Sequence, residues 1–405
     1  MTNCRLCGGT LREVIDLGRQ PVSNAFVRLE ETDKVPFFRL AVGICESCTM
    51  VQQLDEVPPN QMYRADYPYR ASGSAMIRDH FEKVAQHIVE TSPSGRDGFV
   101  VEIGSNDGVM LKTLSAAGIR HLGVDPAASA ADVAQSHGVN IRTDFFNAQT
   151  GGEIHAEHGP AHLIYSANTI SHISYLDSIF HGVDMLLAPD GRFVFEDRYL
   201  GDILSRNYFD QIYDEHIYLF SVRSVQATAA RFGFELVDAE HLALHGGSIR
   251  FTVARAGTSE PTAAVSDFLA REKADGIGEG TAFVRFSADI ERIRKDLVAL
   301  LSDLRSAGRS VVGYGATSRS ATVLNYCDIG PDLLPLVCDS TPEKQGRVTP
   351  GSKIPVRPPH DFSHPYPDYA LLFAWNHADE IMAKERLFRE QGGQWILYVP
   401  HVHLV

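Results

Sequence analysis

The chain has 405 residues, 44% of them hydrophobic and 22% charged. These are ordinary values for a globular protein and exclude disordered and fibrous classes; at roughly 150 residues per domain, two or three domains are expected. Lys+Arg 37 against Asp+Glu 51 leaves a net charge of −14, a surface that repels polyanions and excludes nucleic acid or an anionic membrane as the main partner.

No run of about 18 apolar residues is present, so no transmembrane helix is expected. The start, MTNCRLCGGTLREV, is polar where a secretory signal needs an apolar core, which points to the cytoplasm. Four of the six cysteines form two C-x-x-C pairs, Cys4 with Cys7 and Cys45 with Cys48. Each pair sets two sulfurs on one tight turn, and two such turns make the closed S4 site that structural zinc prefers. A reducing compartment argues against disulfides. Cys327 and Cys338 lie in strand-like context and read as buried bystanders.

Residues 1–66 read as a small zinc-binding module, with VPFFRLAVGICESC a strand running into the second turn. Tyr67-Pro68-Tyr69 leads into a helix from Ala75 to Glu90, and Ser-Pro-Ser-Gly at 92–95 is a turn or linker. Strands and helices then alternate. GFVVEIGS, HLGVDP, VNIRTDFF, AHLIYSAN and RFVFED are strands separated by helical segments, the pattern of βαβ units and a parallel sheet. FELVDAEHLALHGGSIRFTVAR reads as a late antiparallel pair, closing a domain over 67–260. A helical connector occupies 261–307. Within it, Phe283, Phe286, Ile290, Ile293, Leu297, Leu300 and Leu304 recur at alternating three and four, forming one apolar face that ends at Gly308. A second βα pattern over 308–405 suggests a smaller doubly wound domain. The expected fold class is therefore α/β: a zinc module, a central Rossmann-like domain and a C-terminal Rossmann-like domain.

The first glycine loop, after strand FVVEI, reads Glu102, Gly104, Asn106, Gly108. Asn106 replaces the second glycine of the dinucleotide fingerprint, and an acidic residue precedes the loop. That form suits S-adenosylmethionine (SAM), whose cationic head has no phosphate to cradle; a degenerate dinucleotide site is the competing reading. Asp125 ends the next strand at the spacing of a ribose-binding carboxylate. Asp144 and Phe145 follow the third strand, placed to meet adenine, and Asn168 ends the fourth near the methionine end. Ligands of open sheets bind at these carboxyl ends. A second loop, Gly313-Tyr314-Gly315-Ala316-Thr317, leads into a helix opened by Thr317, Ser318, Arg319 and Ser320. Hydroxyls and an arginine at a helix start suit a diphosphate or sugar, although a purely structural loop is equally compatible.

YFDQIYDEHIYLFS at 208–221 carries the chemistry signal. His216 is the candidate general base, Glu215 a neighbour able to orient it, and Tyr213 a donor to a developing oxyanion. His172 and His245 follow other strands and can line the same cleft. G-x-S-x-G is absent, which disfavours a hydrolase triad.

CRLCGG…GICESC, VEIGSNDGVML, FDQIYDEHIYLFS, GYGATSRSAT and LLFAWNHADEI together resemble the SAM-dependent sugar C-methyltransferases that act on dTDP-linked 4-keto deoxysugars in antibiotic pathways. The resemblance spans essentially the whole chain and runs nearest to the C-3′-methyltransferases of tetronitrose biosynthesis, which act on a 3-amino-4-keto sugar. It implies His216 as base, Tyr213 and Glu215 near the sugar, and Tyr67 and His172 in the site. The expected nucleotide-sugar set is Tyr67, His245, Arg250, Tyr314, Thr317, Arg319 and Asn376. Arg319 stands where Lys is expected, which keeps the charge but changes hydrogen-bond geometry. The chain is expected to act as a monomer. The rival readings are an NAD-dependent nucleotide-sugar oxidoreductase using the second glycine loop and a non-catalytic zinc-anchored binding protein.

Overall fold

Three sheets organise the chain in the computed structural model, which describes residues 3–58, 62, 71–91 and 98–405. The first is built from β1 (Leu11–Pro21), β2 (Phe37–Cys45) and β3 (Val51–Gln53), all antiparallel. The turn between β2 and β3 is the second C-x-x-C segment, closed by Cys45 N–H to the Met50 carbonyl and by Thr49 N–H to the Cys45 carbonyl.

The central sheet contains β4 (Phe99–Ile103), β5 (Arg120–Val124), β6 (Ile141–Arg142), β7 (Ala161–Ala167) and β8 (Leu187–Arg198). A two-residue strand, β9 (Tyr218–Leu219), follows, and then β10 (Phe234–Leu242) and β11 (Ser248–Arg255). The order across the central sheet is β10-β11-β8-β7-β4-β5-β6. β4 to β8 run parallel, while β11 is antiparallel to both β8 and β10. Fully buried residues fill β4, as a parallel strand covered on both faces requires. The chain reverses its winding between β4 and β7, so the carboxyl ends of these two strands open onto a ligand crevice. Helix α1 (Ala75–Thr91) lays Ile77, Phe81, Val84 and Ile88 against Val100, Leu111 and Leu114 beside that crevice.

β9 does not join the central sheet. It adds to the edge of the first one, with Val51 opposite Leu219 and Gln52 opposite Tyr218. A two-residue strand has no periodicity to detect in the sequence, and its pairing partner lies far back in the chain.

The C-terminal sheet contains β12 (Val311–Tyr314), β13 (Val337–Cys338), β14 (Val356–Arg357), β15 (Tyr369–Leu372), β16 (Gln394–Leu397) and β17 (His403–Leu404). Its order is β14-β13-β12-β15-β16-β17, parallel except for the last pair. It repeats the switch-point plan of the central sheet.

The long helix Thr281–Ser306 buries Phe283, Phe286, Ile290, Ile293, Leu297, Leu301 and Leu304. Leu301 replaces the expected Leu300, which is only partly covered. The buried stripe keeps the expected spacing up to Leu297 and moves by one position in the last turns, to Leu301. One apolar core joins this helix to Ile15, Leu40 and Val42 of the first sheet and to Val311, Leu371 and Ile396 of the last. A second core joins Cys4, Leu6, Cys45 and Met50 to the central sheet. The first sheet is thus wedged between the other two. Cys327 and Cys338 are buried in apolar clusters, and no helix among the described residues is long and apolar enough to cross a membrane.

Replacing Leu301 with Ala should cost about 2–5 kcal/mol, the usual cavity penalty for a fully buried leucine. Leu300→Ala should cost well under half of that. Urea denaturation midpoints of the two variants test the register.

Candidate active site

The crevice at β4 and β7 is lined by the first glycine loop. Gly104 has φ +74°, and a Cβ there would lie 2.2 Å from Thr169 Oγ1, so both the turn and its close packing require glycine. The Asn106 N–H donates to Asp125 (2.9 Å), and the Ala127 N–H donates to the other oxygen of the same carboxylate (2.8 Å). A 3-10 turn, Ala71–Gly73, closes over the loop. Its Ala71 N–H donates to the Asn106 side chain (3.0 Å), and Ser72 donates its N–H and hydroxyl to Asp107 (3.2 and 2.6 Å).

Glu102, Asp107, Asp125 and Glu196 are all buried. Oε2 of Glu102, Oδ1 of Asp107 and the Ser105 hydroxyl have no hydrogen-bond partner. Burial and the charges of Asp125, Asp107 and Glu196 push the Glu102 carboxyl well above its ordinary pKa. Buried acceptors crowded this way are costly unless a cation answers them. The sulfonium and ammonium groups of SAM fit that requirement, whereas a dinucleotide pyrophosphate would be repelled. Asp144 is ion-paired with Arg142 (3.1 Å) in the turn after a short β6, and the neighbouring Phe145 ring is 49% exposed, leaving it open to a flat ligand. Asn168 holds φ 52°, donates its N–H to the Glu196 carbonyl (2.7 Å) and accepts from Arg198 (3.4 Å).

The Y-D-E-H segment lies across from this loop. His216 is buried. Its Nδ1 donates to the Gln211 carbonyl, which leaves Nε2 as the acceptor nitrogen, buried and without a partner. The Gln211 carbonyl is therefore the group that orients the imidazole. Glu215, the expected orienter, instead accepts from Asn24 (2.7 Å). The His172 ring stacks on His216 with centroids 5.2 Å apart, and the Tyr213 ring lies 4.1 Å from it. Burial, assisted by the Arg198 cation, pushes His216 well below its ordinary pKa and His172 down to about 3. Burial also raises the Tyr213 hydroxyl, keeping it a proton donor at neutral pH. His245 sits in a left-handed turn (φ 55°), with its Nε2 buried and unpartnered. Its neighbour Gly246 leaves room for the Trp375 ring, which a Cβ would meet at 2.4 Å.

The C-terminal sheet brings Arg319 to the same face. Its guanidinium bonds the Asn376 side chain and lies 5.1 Å from the Trp375 ring centroid, with one terminal nitrogen buried and unpartnered. Trp375 in turn donates to Asp210 (2.7 Å), as does Tyr398 (2.7 Å). Thr317 acts as the N-cap of helix Ser318–Tyr326, accepting from the Ser320 N–H (3.3 Å).

Two of the expected substrate residues are held by carboxylates of this chain. Arg250 is ion-paired with Glu196 (2.8 Å) and Glu240 (2.6 Å), in a network where His80 (2.7 Å) and Tyr165 (2.6 Å) also donate to Glu196. Tyr314 donates to Glu385 (2.7 Å) and packs on Phe362 and Trp395 in the C-terminal core. Tyr67 lies outside the described residues. Gly313 has a packing explanation, since a Cβ would meet Val337, Phe373 and Leu334; the loop needs no dinucleotide to account for it.

Four residues enter the site that sequence reasoning missed. Arg198 donates to Gln211 Oε1 (3.1 Å) and is the cation acting on His172, His216 and His245. Asn24 bridges Glu215 and Ser318, accepting from the serine at 3.1 Å. Lys344 donates to the Ala316 carbonyl (2.8 Å) over the Phe26 ring. Asp210 is the buried acceptor for Trp375 and Tyr398. Asp210 lies inside the 208–221 segment, but its partners, like those of the other three, are distant in sequence.

The four N-terminal cysteines converge as their spacing predicts. Their sulfurs all lie within 4.8 Å of one another, with Cys7 3.4 Å from Cys45 and Cys4 3.7 Å from Cys48. The set is all thiol and half buried, which fits a closed zinc site with no place for substrate.

The buried neutral histidines make stability depend on pH. Unfolded histidine protonates near 6.5, whereas folded His172 does so only near 3. The unfolded state thus binds more protons between those values, and stability is full above about 6.5 and falls as pH drops toward 3. The unfolding free energy should decline below pH 6.5 by up to about 1.4 kcal/mol per pH unit for each such histidine, and the melting temperature should fall with it. His172→Asn should flatten that decline; an unchanged slope would contradict the burial argument.

Three family descriptions match the chain in succession: "Putative zinc binding domain" over residues 4–63, "Methyltransferase domain" over 76–239 and "C-methyltransferase C-terminal domain" over 243–400. Among solved structures, a SAM-dependent methyltransferase from Anabaena variabilis aligns with 44% of this chain and 95% of its own (16% identity, TM-score 0.34). Magnesium protoporphyrin IX methyltransferase from Synechocystis, with bound SAM, aligns with 44% of this chain and 79% of its own (14% identity, TM-score 0.34). The C-methyltransferase NovU of Streptomyces niveus is 35% identical over 99% of this chain and 96% of its own length. On that match the chain belongs to the C-methyltransferase family: a SAM-dependent enzyme with an N-terminal zinc-binding domain.

Proposed function

We propose that this enzyme methylates a carbon beside the ketone of a dTDP-linked 4-keto deoxysugar, C-3′ of a 3-amino-2,3,6-trideoxy-4-keto hexose, in antibiotic deoxysugar biosynthesis. The observation that carries this reading is the Nε2 of His216, a buried, neutral and unpartnered base on a ring packed between those of His172 and Tyr213. Carbon becomes a nucleophile when an adjacent carbonyl acidifies its C–H bond, and that chemistry needs a base that is not already protonated.

In this reading His216 Nε2 takes the proton from C-3′, and the C–H electron pair moves into the enolate. The Nδ1–H bond to the Gln211 carbonyl holds the imidazole in the accepting tautomer. Tyr213 donates its hydroxyl proton to a hydrogen bond with the enolate oxygen, and the Arg198 cation lowers the energy of the same charge. SAM, when bound, offers an electrophilic methyl whose bond to sulfur breaks as the new carbon–carbon bond forms. Glu102, Asp107 and Asp125 attract its cationic head and hold its ribose, Phe145 covers the adenine, and Asn168 meets the methionine end. Arg319, with Thr317, Asn376 and His245, receives the nucleotide diphosphate and sugar, while the Cys4 module is scaffolding.

Incubation with SAM and a panel of dTDP-4-keto sugars in deuterated water tests substrate and position together. Deuterium should appear at one carbon beside the ketone, and product mass should rise by one methyl. His216→Asn should lower turnover by about 10²–10⁴-fold while calorimetry shows S-adenosylhomocysteine binding intact; near-normal turnover would overturn the assignment. Stabilisation by NADH in place of S-adenosylhomocysteine would favour an oxidoreductase instead.

A further inference from the structure

Gln53, at the end of β3, is 1% exposed and touches no expected substrate or cofactor residue with its own functional atoms, yet it is the main grip on the catalytic turn. Its side-chain nitrogen lies 2.7 Å from the Tyr213 carbonyl, 2.9 Å from that of His216 and 3.2 Å from that of Asp214. Its backbone N–H donates to the Ile217 carbonyl (2.9 Å). The turn closes on itself only through His216 N–H to the Tyr213 carbonyl (2.9 Å) and Ile217 N–H to the Glu215 carbonyl (3.2 Å). The buried carbonyls of 213, 214 and 216 therefore share the two hydrogens of one carboxamide. Three acceptors around one atom also settle which end of the amide is nitrogen.

The other end of that side chain is informative. Gln53 Oε1 is buried and has no partner, a destabilising arrangement. The adjacent Gln52 donates to Cys4 Sγ (3.0 Å) and accepts from the Arg5 N–H (3.1 Å). Two consecutive glutamines thus reach opposite ways, one to the cysteine cluster and one to the turn that presents His216 and Tyr213.

We propose that Gln53 is a positioning residue for the methyl transfer: its carboxamide locks the Tyr213–His216 turn so that base and phenol are delivered as one rigid unit, with Gln52 anchoring that strand to the cysteine module. This rests on His216 being the base, as proposed above.

The test compares the full-length metal-loaded enzyme with Gln53→Leu, which keeps bulk and removes the donors, and with Gln53→Glu, which keeps shape. The readouts are kcat, KM, S-adenosylhomocysteine affinity, and SAM-independent deuterium exchange beside the substrate ketone. For Gln53→Leu, kcat and exchange should both fall about 10- to 100-fold, the scale of a small misplacement of reacting groups. KM and S-adenosylhomocysteine affinity should stay within about 3-fold. Exchange and kcat within about 3-fold of the parent would overturn the proposal, as would a kcat loss matched by an equal loss of cofactor affinity. Gln53→Glu covers the case in which the leucine variant fails to fold. A protonated carboxyl regains one donor, so its rate relative to the parent should rise as pH is lowered; a parallel profile would overturn the proposal. His216→Asn run alongside separates the two claims. If it abolishes exchange while Gln53→Leu does not, only the positioning role falls; if it leaves exchange intact, the base assignment falls and the positioning role with it.

Discussion

The pairing of β3 with β9 is the contact on which the rest of the site depends. It joins a strand from the first 53 residues to Tyr218 and Leu219, one residue beyond the Y-D-E-H turn. Backbone pairing sets the height of that turn, and side chains from the same module then fix it. Gln53 bonds its carbonyls, the Ser23 N–H donates to Asp214 (3.1 Å), and Asn24 donates to Glu215. A buried turn of this kind could not leave its carbonyls unmet in an apolar core. The N-terminal module is therefore a wall of the active site and a clamp on it, and its cysteine cluster stabilises the strand that does the clamping.

Charge is divided across the crevice in a way that the net value of −14 conceals. One side carries buried carboxylates, with Glu102 destabilised by its neighbours until it holds a proton readily. The other carries Arg198 and Arg319 close to histidines that remain neutral. Coulombic interactions are strongest where water is excluded, so the two halves select ligands of opposite sign at short range. The cationic side also keeps His172, His216 and His245 deprotonated. Burial and these cations leave the His216 nitrogen free of a proton at neutral pH but also weaken it as a base, so a nearby donor must meet the charge that the substrate develops.

The parts legible in the sequence were those written in local spacing. Two C-x-x-C pairs carry the spacing of a four-sulfur metal site, and the four sulfurs do meet. The glycine loop after a buried strand demanded left-handed backbone, and Gly104 and Gly108 both have it. The long amphipathic helix was visible, but strict alternation of three and four placed Leu300 on the stripe where the structure buries Leu301. Arg250 and Tyr314 show the opposite failure. Each lies in the expected neighbourhood, and each is engaged by a carboxylate, Glu196 or Glu385, whose position sequence could not convey.

Local order along the chain thus carried the fold class, the four-cysteine site and the chemistry-bearing segments, because those depend on residues a few positions apart. The assembly of the site depended on contacts across 160 residues between Gln53 and Tyr213, 191 between Asn24 and Glu215, and 294 between Asn24 and Ser318. Such contacts arise when three sheets bury shared apolar surface, and hydrogen bonds then select the register. No single-residue pattern encodes them. The fold class and the cysteine site were therefore readable from short motifs, whereas the partners that hold His216 in place emerged only when distant strands were packed together.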